Sequence, residues 1–86
     1  MPIIAHFYGI KVAIFYDDHQ PAHFHAYYAE FEIVVDIHEL TVTRGEFPPR
    51  ASQLTLEWAE LCRENLLQNW QRAAEHRKLL TIPPLQ

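Results

Sequence analysis

Three histidines fall within one short stretch, Asp17-Asp18-His19-Gln20-Pro21-Ala22-His23-Phe24-His25, in a chain that holds six histidines among 86 residues. Imidazole titrates near neutral pH and is the commonest metal ligand, so such a cluster points to metal binding or to acid–base chemistry. On a β-strand, residues two apart share a face at a separation of roughly 6 to 7 Å, close enough for two rings to converge on one atom. His23 and His25 have that spacing. His19 lies beyond Pro21, whose fixed φ favours a turn that folds it back towards the pair.

Three uses of these residues are open. His19, His23 and His25, with Asp18 or Asp17 offsetting charge, make a ligand set for a divalent transition metal such as zinc, nickel, copper or iron. Without a metal, His23 and His25 are a candidate general acid and base. The third use is structural: a half-buried, hydrogen-bonded strand pair with His19 in a turn. No C-x-x-C or H-E-x-x-H pattern accompanies them. His6 can approach the cluster only if its strand face matches, while His38 and His76 read as element ends.

The elements that must carry this cluster are legible from periodicity. Ile3 to Tyr8 and Ile10 to Tyr16 read as two strands meeting at Tyr8-Gly9. Phe24 to Ala29 and Phe31 to His38 read as the next two, joined at Ala29-Glu30, with Phe31, Ile33, Val35 and Ile37 facing inward. A short fifth strand, Leu40 to Thr43, ends at Arg44-Gly45. After Pro48-Pro49 the period changes to about 3.6. Leu54, Trp58, Cys62, Leu66 and Trp70 step by four, flanked by Ala59, Leu61 and Ala73, and predict one long helix over about 50 to 76. Residues 77 to 86 form a proline-containing tail, packed through Ile82 and Leu85 or frayed. The fold expected is α+β over residues 1 to 86 as a single domain: a mainly antiparallel sheet of four to five strands, strands lying within 2 to 44, with one long C-terminal α-helix on one face.

Charge and composition narrow the function classes. Residues 1 to 49 hold Lys11 and Arg44 against Asp17, Asp18, Glu30, Glu32, Asp36, Glu39 and Glu46. An acidic half that also carries the histidine cluster suits a cation better than a nucleic-acid backbone, so nucleic-acid binding is disfavoured. The lone cysteine, Cys62, cannot form an internal disulfide, and no secretory pattern or bilayer-length apolar run is seen, so a cytoplasmic address without membrane attachment is expected. Cys62 sits in helical periodicity and reads as a small core residue rather than a nucleophile. Trp58 and Trp70 read as core aromatics. Leu56 and Leu67 fall at the edge of the helix stripe, a flank suited to a homodimer or a protein partner.

The chain resembles a bacterial family known as domain of unknown function 4160. The resemblance rests on Phe7-Tyr8-Gly9-Ile10, on Asp18-His19-Gln20-Pro21-Ala22-His23-Phe24-His25-Ala26 followed by Tyr27 or Tyr28, on Asp36-Ile37, on Gly45 with Pro48 and Arg50, and on Glu57-Trp58-Ala59 with Asn69-Trp70. The D-H-x-P-x-H-F-H-A run is its most specific part. The resemblance implies no activity, and it implies membership of toxin–antitoxin-like gene pairs. The function expected is a small cytoplasmic interaction module with a histidine-rich site able to hold a divalent metal. The alternative is a small hydrolase, ribonuclease-like, using the histidines as metal ligands or as general acid and base. A DNA-binding role for the helix is disfavoured by its balanced charge and wide apolar stripe.

Overall fold

The computed structural model describes residues 2–86 and shows five antiparallel strands followed by two helices. The strands are β1 (Ile3–Phe7), β2 (Ile10–Ala13), β3 (His23–Tyr28), β4 (Phe31–Asp36) and β5 (Val42–Gly45), hydrogen-bonded in chain order as a meander. The α+β architecture with an antiparallel sheet is therefore as the periodicity predicts.

Two tight turns set the register. Tyr8 and Gly9 both take positive φ, 49° and 80°, which suits the right-handed twist of a two-residue hairpin. Ala29 does the same at 52° between β3 and β4. His23 then faces Asp36 across β3 and β4, and His25 faces Val34. β2 is shorter than the alternation suggests, because the chain leaves the sheet after Ala13 and reverses at Asp17, whose φ is 59°. β4 also stops early. Asp36 accepts a hydrogen bond from the Glu39 backbone N–H at 2.8 Å, and Leu40 turns with a φ of 56°. β5 consequently begins at Val42 rather than Leu40.

One face of the sheet carries the core. Phe7, Ile10, Val12, Phe24, Ala26, Ile33 and Val35 are all buried. Trp58 lies on them, its ring 5.1 Å from Phe7 and 6.0 Å from Phe24, and its indole N–H donates to the Pro83 carbonyl. The opposite face carries His23 and His25.

The single long helix is not observed. Two helices, α1 (Pro49–Leu61) and α2 (Arg63–Ala74), meet at Cys62, whose φ and ψ are −112° and 20°. Hydrogen bonds bracket the joint, from Cys62 N–H to Trp58 O and from Leu66 N–H to Cys62 O, so the chain bends there without a loop. Length supplies the reason. An unbroken helix over residues 50 to 76 would run about 40 Å, whereas strands of no more than six residues give the sheet a length of about 20 Å. A bend keeps both halves on the core, with Ala51, Thr55, Trp58 and Ala59 buried on α1 and Leu66, Asn69, Trp70 and Ala73 buried on α2. Leu61 departs from the expected stripe and is exposed, while Leu54, Leu56, Cys62 and Leu67 are half-buried against the core.

The tail is packed. Asn69 holds it with a pair of hydrogen bonds to the Leu80 backbone, receiving its N–H at 2.8 Å and donating to its carbonyl at 2.7 Å. Ile82 is buried and its N–H donates to the Ile4 carbonyl, which covers part of edge strand β1. Leu85 is half-buried against the core.

Candidate metal centre

β3 alternates as its sequence requires, so Phe24 and Ala26 enter the core while His23, His25 and Tyr27 stand on the other face. The loop from Ile14 to Ala22 returns over that face and brings Asp18 to the two rings. The Asp18 Oδ2 atom lies 2.8 Å from His23 Nε2 and 3.5 Å from His25 Nε2. One ligand atom from each of Asp18, His23 and His25 lies within 4.8 Å of the others.

The outward nitrogens are both engaged. His23 Nδ1 is 2.8 Å from the Pro21 carbonyl, which can only accept, so Nδ1 carries the proton. In the neutral ring the Nε2 lone pair then points at a carboxylate oxygen. Two acceptors facing one another repel unless a cation, a proton or a metal, lies between them. His25 repeats the arrangement, with Nδ1 directed at Glu32 Oε2 at 3.4 Å. Its Nε2 is buried and has no hydrogen-bond partner. An imidazole held through Nδ1 by a carbonyl or carboxylate, with Nε2 free, is the way metal-binding histidines are oriented. Ligands about 2.1 Å from a common ion stand about 3.0 to 3.4 Å apart in tetrahedral or octahedral geometry. The observed 2.8 and 3.5 Å bracket that range. The three ligand atoms all lie within 4.8 Å of one another, so the group can hold a divalent ion once its side chains draw in around it.

Asp18 is suited to the role. Burial works to raise its pKa, but the His19 backbone N–H, donating to Oδ1 at 2.9 Å, and a proton carried between the carboxylate and the His23 and His25 rings outweigh burial and hold the carboxyl below its usual value. The anion is thus the resting form, as a ligand must be.

Aromatic groups wall the site. Phe15 meets the His25 ring edge-on at 4.7 Å, Tyr27 stacks against it at 6.5 Å, and Trp70 lies 5.0 Å from the His23 ring. A cleft of about 300 Å³ opens in front, lined by Asp18, His19, Pro21, His23, His25, Val34, Asp36, Thr43 and Arg44.

The sequence-derived site residues are distributed as follows. Asp18, His23 and His25 come together. His19 stands at the rim, its side chain 79% exposed, its Nδ1 donating to the Gln20 carbonyl and its Nε2 3.7 Å from Asp18 Oδ1, outside the ligand group. Asp17 turns away and pairs with His76 at 2.8 Å. His6 shares the sheet face but pairs with Lys11 on the outer strands, and His38 lies exposed in the turn after β4. Asp36, Thr43 and Arg44 are additions. Asp36 was within reach, because alternation on β4 turns it opposite to Val35 and Ile37; Thr43 and Arg44 depend on a bulge that no pattern announces.

A meander sheet closed on one face by a bent helix pair, with two imidazoles and a carboxylate converging on the other, marks the molecule as a small α+β protein with a His/Asp group that could hold a metal ion. Residues 9–71 match the family model described as "Domain of unknown function (DUF4160)", and the chain belongs to that family. No curated protein and no solved structure matches it. Among the described residues, no helix is long and apolar enough to cross a membrane.

Proposed function

We propose that this chain is a small cytoplasmic metal-dependent hydrolase, with Asp18, His23 and His25 as the ligands of one divalent transition metal. The observation that carries this reading is the double orientation of the rings: each histidine is held through Nδ1 while its Nε2 turns to the same Asp18 oxygen. A core role for His23 and His25 would not require both second nitrogens to meet at one carboxylate. Three protein ligands would leave coordination positions open, and a divalent ion held by Asp18, His23 and His25 would supply an acidified water and a Lewis acid for a substrate oxygen. Zinc suits two imidazoles and a carboxylate, with iron, nickel and copper as rivals for the same donors.

The remaining groups have assigned work in this reading. Asp36, paired in register with His23 and lining the same cleft, is the general base for water. Phe15, Tyr27 and Trp70 exclude solvent around the ligands and fix their ring planes. His19 at the rim is the candidate acid for a leaving group. The interaction-module alternative keeps the helix flank as its docking face; Leu56 and Leu67 there are half-buried, and Leu61 is 73% exposed.

The test is hydrolysis of nitrophenyl carboxylate, phosphate monoester and phosphodiester probes by metal-loaded protein. Turnover of at least one probe is expected, abolished by a chelator and by His25→Ala, and reduced about 100-fold or more by Asp36→Asn with metal content unchanged. Turnover indifferent to chelation, or none on any probe, contradicts the hydrolase and favours the interaction module.

A further inference from the structure

The far wall of the cleft is built by the edge strand β5. Val34 pairs with Arg44 and Val35 with Val42, so Thr43 is an extra residue in the ladder, a β-bulge. A bulge lets two successive side chains share a face where alternation would separate them. Thr43 and Arg44 accordingly both line the cleft, and the Thr43 hydroxyl donates to the Val34 carbonyl. The next residue, Gly45, has a φ of 76°, and a Cβ there would collide with the Glu32 carbonyl oxygen. Only glycine permits this approach of β5 to β4.

This backbone directs Arg44. Its guanidinium makes no ion pair or hydrogen bond among the described residues, although Glu32 and Asp36 lie on the neighbouring strand. Glu32 is engaged with His25, and one Asp36 oxygen is engaged with the Glu39 N–H. A bulge on an edge strand both blunts the edge and re-aims a side chain, and here the re-aimed side chain is Arg44, turned into the cleft. β5 lies two strands from β3, a backbone separation of about 10 Å, so Arg44 and the ligand group flank a space of small-molecule width.

We infer that Arg44 anchors a singly charged oxyanion on the substrate, a phosphodiester or a carboxylate, while the ligand group addresses the bond to be broken. The inference rests on the metal reading of the site. A guanidinium presents paired N–H donors that match two oxygens of such a group. Asp18 and Asp36 in the cleft lining, with Glu32 on His25 beside it, oppose a polyanion and leave a singly charged group as the fit.

The experiment uses the full chain loaded with cobalt(II), whose visible absorption reports its coordination. Cobalt is titrated first, then dimethyl phosphate and, separately, acetate, into wild type, Arg44→Gln and Arg44→Lys. Arg44 is exposed, so both variants are expected to fold. Wild type should bind at least one of the anions, and the preferred one identifies the group. Arg44→Gln should weaken that anion about tenfold or more, Arg44→Lys by less, with cobalt affinity unchanged. Cobalt binding with equal anion affinity in wild type and Arg44→Gln, or with no anion binding in wild type, overturns the anchor and leaves the metal site standing. Failure of the wild type to bind cobalt overturns both.

Discussion

His25 Nε2 is the atom on which the reading of the site turns, because it is buried, aimed at Asp18 and without a hydrogen-bond partner. A polar atom in that condition costs about 1 to 3 kcal/mol unless something fills the gap. His25→Leu should therefore leave the metal-free protein at least as stable as wild type while removing its response to zinc; urea unfolding with and without zinc measures both. A clear loss of stability in the metal-free variant would assign the ring a structural role instead. Cys62 supplies a pH test. Burial raises its thiol pKa above the ordinary value, so the thiolate forms at higher pH in the folded chain than in the unfolded one. Alkylation by iodoacetamide at pH 8 should be slower in the native protein than in urea, and the two rates should converge as pH rises through the folded value. Equal rates at pH 8 would show that the bend leaves the thiol in water. A raised pKa also makes the thiol's contribution to stability complete below the unfolded value and lost as pH rises through the folded one.

Helices and strands place these atoms, and their packing can be probed separately from the site. Trp58 is 1% exposed and sits between Phe7, Phe24 and the Pro83 carbonyl. Trp58→Ala should cost about 3 to 5 kcal/mol, and exposed Glu64→Ala less than about 0.5. Asn69→Ala should cost about 1 to 3 kcal/mol by releasing the tail from α2, seen as early amide exchange at Leu80 and Ile82. Much of this architecture is legible in the chain. Alternation yields the antiparallel sheet of four to five strands, the two-residue spacing puts His23 and His25 on one face, and Tyr8-Gly9 marks its hairpin. Three features escape for physical reasons. The bend at Cys62 follows from the finite length of the sheet, which periodicity along a helix does not contain. The bulge at Thr43 breaks the two-residue period on which strand reading depends. Asp17 and Asp18 are adjacent carboxylates of equal chemistry, and only the turn at Asp17 decides that Asp18 meets the rings while Asp17 meets His76.

The molecule brings these parts together as a sheet with one dry face, closed by α1 and α2, and one open face, where chemistry is available. Such a small domain has little stability to spare, so a ligand that binds only the folded state should show strongly in unfolding. At about 100 times its dissociation constant, zinc should add about 2.7 kcal/mol and raise Tm by about 10 °C or more. The most direct check is metal stoichiometry: zinc bound per chain by untagged protein, measured by elemental analysis after exhaustive dialysis, for wild type, Asp18→Ala, His23→Ala, His25→Ala and His19→Ala. About one zinc per chain is expected in wild type and in His19→Ala, and well under half that in the other three. Wild type without zinc, or Asp18→Ala, His23→Ala and His25→Ala that retain it, would contradict the metal centre.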